Sequence, residues 1–129
     1  MNHPTFFVGT DKTDILHVIT GEKTHIASRL SEHFQELSPT GTEDGAKEKH
    51  LPTVKMSGST VSVEVGSIPH PMAQEHSIEW IYLETTQGGQ IKFLSPDQTP
   101  RAEFSLTGGD QPVAAYAYCN LHGFWRTEI

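Results

Sequence analysis

Val61, Val63 and Val65 alternate with Ser62 and Glu64, the period-two pattern of a strand that buries one face. Thr53 to Met56 predicts a short strand before it, with Ser57-Gly58-Ser59 supplying the turn between the two. Ser77 to Thr85 is rich in β-branched and aromatic residues. Gln87-Gly88-Gly89 then predicts a hairpin turn into a strand over Gln90 to Leu94. Ala102, Phe104 and Leu106 alternate again before the loop Thr107-Gly108-Gly109-Asp110. Val113 to Tyr118 is the last strand the pattern marks, and it delivers Cys119 into a loop. Short strands punctuated by Gly, Pro and Asp, without a helical period of useful length, predict an antiparallel β-sandwich.

The first part of the chain is patterned differently. Phe6 to Val8 and Ile15 to Ile19 predict two short strands around Gly9-Thr10-Asp11-Lys12, while Ile26 to Leu37 fits a helical turn or a loop. Residues 38 to 47, with Ser38-Pro39-Thr40-Gly41-Thr42-Glu43-Asp44-Gly45 at their start, have little to bury and read as a linker. The expected organisation is a small region over 1–40 and a main domain over 41–129.

Charge and targeting signals narrow the partners. A chain of 129 residues with 9 Lys+Arg against 16 Asp+Glu carries a net charge of -7, which argues against nucleic acid and against an anionic membrane surface. The start Met1-Asn2-His3-Pro4-Thr5 has no basic stretch followed by an apolar run. No segment reaches the roughly 20 apolar residues that cross a bilayer. One cysteine excludes an intramolecular disulfide and suits a reducing compartment, so the expected location is the cytoplasm.

The same single cysteine changes the functional picture. Cys119 stands three positions before His122, and His50, His70 and His76 lie on the predicted loops and strand ends of the same sandwich. Taken alone, each histidine reads best as a surface or hydrogen-bonded residue and the cysteine as a small buried hydrophobe. Together they form a set of imidazoles and a thiolate suited to a transition metal. His3, His17, His25 and His33 share no loop with a cysteine, and the exposed reading holds for them. Met72 reads as a thioether packed beneath the His70 loop, and Trp80 and Trp125 as core or site-wall residues.

The donor set also bears on which metal. Structural zinc takes four ligands in a closed tetrahedron, which fits five candidates with one sulfur poorly. A blue-copper site expects an axial Met after the Cys-His loop, whereas Met1, Met56 and Met72 all precede Cys119. Iron with one open position is the better match. An iron or copper electron-transfer protein of β-sandwich fold is the competing reading.

Three segments carry a family resemblance: Lys47-Glu48-Lys49-His50-Leu51-Pro52; His70-Pro71-Met72 with His76-Ser77-Ile78-Glu79-Trp80; and Cys119-Asn120-Leu121-His122-Gly123 with Trp125. In this order and spacing, over residues 46–126, they closely resemble the desulfoferrodoxin and neelaredoxin family of superoxide reductases. The resemblance implies an immunoglobulin-like β-sandwich around one mononuclear iron that cycles between ferrous and ferric states. It implies His50, His70, His76 and His122 as equatorial ligands and Cys119 as the axial one. Glu48 matches the glutamate that takes the sixth position in the oxidised state, and Lys49 the lysine that attracts superoxide and helps deliver a proton. An external electron donor of rubredoxin type and a homodimer or homotetramer are further implications.

Residues 1–40 resemble, more weakly, the desulforedoxin-like domain that precedes this module in some members. Its iron-binding cysteines correspond here to Gly9, Lys12, Ser28 and Arg29. A metal-free remnant is therefore expected.

Overall fold

The computed structural model describes residues 4–40, 50–66 and 70–129, so His3, the linker residues 41–45, Glu48 and Lys49 lie outside the described residues. The chain divides into two compact units, Met1–Ser38 and Pro39–Ile129.

The first unit is a three-stranded antiparallel sheet, β1 (Thr5–Gly9), β2 (Ile15–Val18) and β3 (Phe34–Glu36), in the order β2-β1-β3, with the helix α1 (Lys23–Leu30) between β2 and β3. β1 is central because it carries the apolar run: Phe6, Phe7 and Val8 are all buried. The turn after it is closed by the Lys12 amide donating to the Gly9 carbonyl at 2.8 Å. Where the sequence left a helical turn or loop open, the structure has a full helix and then a strand. α1 buries no residue, so it carries no apolar stripe to read; the Glu22 side chain accepts from the Thr24 and His25 amides and caps its start. His17, His25 and His33 are exposed, as their isolation in the sequence suggests.

The second unit is the sandwich. One sheet holds β10 (Gly123–Glu128), β9 (Pro112–Cys119), β6 (Ile78–Thr85) and β7 (Gly88–Phe93) in the order β10-β9-β6-β7. The other holds β4 (Pro52–Ser57), β5 (Thr60–Val65) and β8 (Arg101–Ser105) in the order β4-β5-β8. All pairings are antiparallel. This division of seven strands into four and three is that of an immunoglobulin-like sandwich.

The core lies between the sheets. Val61, Val63 and Val65 of β5 with Ala102 and Phe104 of β8 meet Ile78, Ile81 and Leu83 of β6 and Ala115, Ala117 and Cys119 of β9. Burying a Val, Leu, Ile or Phe side chain contributes about 1.5–3 kcal/mol, so this set is what keeps the sheets together. The alternation in β5 and β8 is reproduced residue by residue: Glu64 and Glu103 are exposed between buried neighbours.

Two elements differ from expectation. The β6–β7 turn is Thr86-Gln87, and Gly88 and Gly89 belong to β7. Gly89 pairs with Glu84, and a Cβ there would lie 2.0 Å from the Tyr82 hydroxyl, so the glycine makes room for a ring rather than a bend. β10 is a strand the pattern did not mark. Phe124 and Trp125 are adjacent and both buried, which hides the alternation.

Candidate metal centre

The strand ends bring the sequence-predicted histidines and the cysteine to one place. β9 and β10 are joined by the turn that carries Cys119 and His122, with Cys119 paired to Gly123 on one side and to Ile78 on the other. Gly123 has a φ of 82°, a conformation that glycine adopts without the steric cost of a Cβ. Because β6 runs antiparallel to β9, the residues just before β6 lie beside that turn. His76 is among them, held in a tight loop in which the Ala73 amide donates to the His76 carbonyl at 2.9 Å. His50 precedes β4 by two residues, and His70 follows β5.

The four imidazoles close a ring. Centroids of His50 and His70, His70 and His76, and His122 and His50 are 4.8 Å apart, those of His76 and His122 5.0 Å, and each plane is steeply inclined to the next. One donor atom from each histidine and the Cys119 sulfur all lie within 4.8 Å of one another. Two nitrogens on opposite sides of one first-row ion, at about 2.1 Å each, stand about 4.2 Å apart. The donor spacing is thus on the scale of atoms that share a single ion.

The ring nitrogens are prepared for this. The Nε2 atoms of His70 and His76 are buried and make no hydrogen bond among the described residues. Left so, each would cost about 1–3 kcal/mol of unreturned desolvation. His70 Nδ1 lies 2.7 Å from the Pro71 carbonyl, which fixes the proton on Nδ1 and leaves Nε2 as a lone pair. Burial pushes the His70 imidazolium down to about 4; the Pro71 carbonyl opposes this and the neighbouring His50, His76 and His122 add to it, so the ring is neutral at neutral pH. Neutral imidazole is the ligating form. Burial likewise pushes the Cys119 thiol up, while the backbone amides of His122 and Leu121 favour its thiolate. The His122 amide is 3.4 Å from the sulfur.

The surroundings are asymmetric. His50, His70 and Cys119 are buried, His76 is half-buried and His122 exposed, so one side of the ring opens to solvent. Trp125 forms a wall, as expected from the sequence: its ring stacks on His50 at 4.7 Å and 13°, and its Nε1 donates to the His122 carbonyl at 3.1 Å. Met72 is packed against the core, with its Sδ 3.4 Å from the Ile78 amide nitrogen, in keeping with a thioether beneath the loop. Trp80 belongs elsewhere, stacked on Tyr118 at 5.5 Å.

Comparison with known proteins bears on the family. Residues 42–128 match the desulfoferrodoxin family. The chain belongs to the desulfoferrodoxin family. A desulfoferrodoxin of Nitratidesulfovibrio vulgaris is 45% identical over 93 residues, covering 72% of this chain and 72% of that protein. A superoxide reductase of Pyrococcus horikoshii is 37% identical over 103 residues, covering 67% of this chain and 90% of that protein. Among solved structures, the superoxide reductase of Treponema pallidum superposes with a TM-score of 0.76 at 36% identity, over 98% of both chains.

Sequence reasoning did not find Asn120. It lies inside the Cys119–His122 segment, yet its side chain is directed to the other ligand loop: Oδ1 accepts from the Ser77 amide at 3.0 Å and Nδ2 donates to the Glu75 carbonyl at 3.0 Å. Nothing in the one-dimensional pattern marks such a contact, because Asn is also an ordinary turn residue.

Proposed function

We propose that this member of the desulfoferrodoxin family is a superoxide reductase, an oxidoreductase that reduces superoxide to hydrogen peroxide at a mononuclear iron held by His50, His70, His76, Cys119 and His122. The observation that carries the reading is the closed ring of four imidazoles, with one thiol sulfur within 4.8 Å of their donor atoms and two buried nitrogens awaiting a partner. Four nitrogens and one soft sulfur suit iron and leave a sixth position open. The four imidazoles and the Cys119 thiolate would together hold the ion.

When bound, iron supplies the single electron that, with two protons, converts superoxide to hydrogen peroxide. The chain's own residues do the rest. His70 enters neutral because it is buried and its Nδ1 proton is engaged by Pro71. The Cys119 sulfur is held by strand pairing and faced by the His122 amide, which opposes the cost that burial puts on its thiolate; a bound cation would offset the rest. The exposed edge at His122 leaves a path for a small anion. Lys49, next to His50 in sequence, carries the cation that steers superoxide against a net charge of -7 and positions a proton. Glu48, two residues before His50 in sequence, would offer a carboxylate to the oxidised centre.

The electron donor we propose is of rubredoxin type, the assembly a homodimer or homotetramer, and the location cytoplasmic. All three rest on the family resemblance, and the cytoplasm also on the lone reduced cysteine; among the described residues no helix is long and apolar enough to cross a membrane. Residues 1–40 we read as a desulforedoxin-like domain that has lost its metal, with 41–129 the iron domain. In support, Gly9 and Lys12 still close one turn, whereas Ser28 and Arg29 lie within α1. The competing reading, a carrier that only shuttles electrons, predicts no superoxide consumption beyond that of free iron. Peroxide yield from reduced, iron-loaded protein separates the two, and oxygen release would mark dismutation instead.

A further inference from the structure

Four of the five donor residues are held through the side chain or by a contact to a strand already described. His50 stacks on Trp125, His70 is fixed through Pro71, His122 through its carbonyl and Trp125, and Cys119 through strand pairing on both sides. His76 is different. Its backbone is held within its own loop by the exchange with Ala73, and its Nε2, like that of His70, has no hydrogen-bond partner among the described residues. It precedes the start of β6, where the β6–β9 pairing slips register between Ile78 and Trp80. The backbone ladder continues past that slip by one bond, from the Asn120 amide to the Ser77 carbonyl at 3.2 Å.

We infer that Asn120 is a positioning residue that carries this ladder onward with its side chain and so fixes His76 against Cys119 and His122. A carboxamide has the donor and the acceptor of a peptide group. Here the acceptor takes the Ser77 amide and the donor reaches the Glu75 carbonyl, so the two bonds straddle His76. No other residue type satisfies both. Asp accepts from Ser77 but places lone pairs against the Glu75 carbonyl, Ala and Ser fall short, and Gln is one methylene too long. The clasp ties the two ligand loops directly to each other, without touching an imidazole.

The inference rests on the reading that the ring binds a metal, and its test reads the two separately. Metal-free full-length protein is titrated anaerobically with ferrous iron against a competing chelator, and with cobalt(II) as a spectroscopic probe. Wild type should take up one ion per chain; failure to do so removes the centre and this inference with it. Asn120→Ala should bind about 10–100-fold more weakly, the range that follows loss of a group orienting a ligand, with a shifted cobalt spectrum and a melting temperature of the metal-free protein close to wild type. In a His76→Ala background the same substitution should change affinity less than about twofold, since coupled residues fail to add. If Asn120→Ala does not fold, Asn120→Asp, which keeps the bond to Ser77, serves in its place. Unchanged affinity, or an equal loss with and without His76, overturns the inference.

Discussion

His50 Nε2 and His122 Nδ1 face each other at 3.1 Å, although 72 positions separate them in the chain. About 3.0 Å is the spacing of two nitrogens at right angles on one ion with metal–nitrogen distances of about 2.1 Å. The fold thus places one donor from the entrance of β4 and one from the β9–β10 turn at the separation a shared ion needs. Replacing either residue by Ala should weaken iron binding by more than the about 10–100-fold expected for a residue behind a ligand. Chelator competition on the full-length protein measures this, and retention of wild-type affinity by either variant would remove that residue from the centre.

Cys119 is buried between Ile78 and Gly123, with the His122 amide on its sulfur. Cys119→Ser should abolish the thiolate-to-iron absorption of the oxidised protein, since a serine oxygen lacks the soft donor orbital. An unchanged visible spectrum would remove Cys119 from the donor set.

Lys49 acts, on this account, before chemistry. Lys49→Ala should slow superoxide reduction several-fold at low ionic strength, with the deficit shrinking as salt screens the attraction over about 8 Å at physiological strength. Rates by pulse radiolysis across a salt series test this. Equality with wild type at low salt would remove Lys49 from the mechanism.

Away from the site, the outer side of the four-stranded sheet carries a buried polar bond. Tyr116 donates to Glu84 at 2.8 Å and accepts from Arg126 Nε at 3.0 Å. Burial pushes the Tyr116 phenol up to about 12, and the bond to Glu84 adds to this while Arg126 opposes it. The folded state thus favours the neutral phenol: the contribution is fully present below about pH 10, the ordinary tyrosine value, and is lost as pH rises toward 12. Tyr116→Phe should cost about 1–3 kcal/mol at neutral pH and flatten the alkaline limb of the stability curve. Denaturant melts between pH 8 and 12 would show it; equal stability at both ends would contradict this role.

How far the sequence could be read follows from how each residue earns its place. Val61, Val63 and Val65 were legible because one face of β5 is buried and the other is not. The donor cluster was legible because four histidines and the lone cysteine sit at strand ends, where a local pattern stops and a chemical one begins. β10 was not, because the adjacent Phe124 and Trp125 are both buried even though β10 is an edge strand of its sheet. α1 was not, because it buries nothing. Gly88 and Gly89 read as a turn, since the need of Tyr82 for space beside Gly89 is a long-range fact. Asn120 escaped for the same reason: its partners, Ser77 and Glu75, are more than forty positions away.

The most direct test of the central claim is the product ratio. Full-length protein loaded with one iron per chain and reduced anaerobically is given a measured pulse of superoxide, and peroxide and oxygen are counted. The account predicts one hydrogen peroxide for each superoxide consumed, with oxidation of one iron and no oxygen released. Oxygen formed with half an equivalent of peroxide, or no consumption beyond that of free iron, would contradict it.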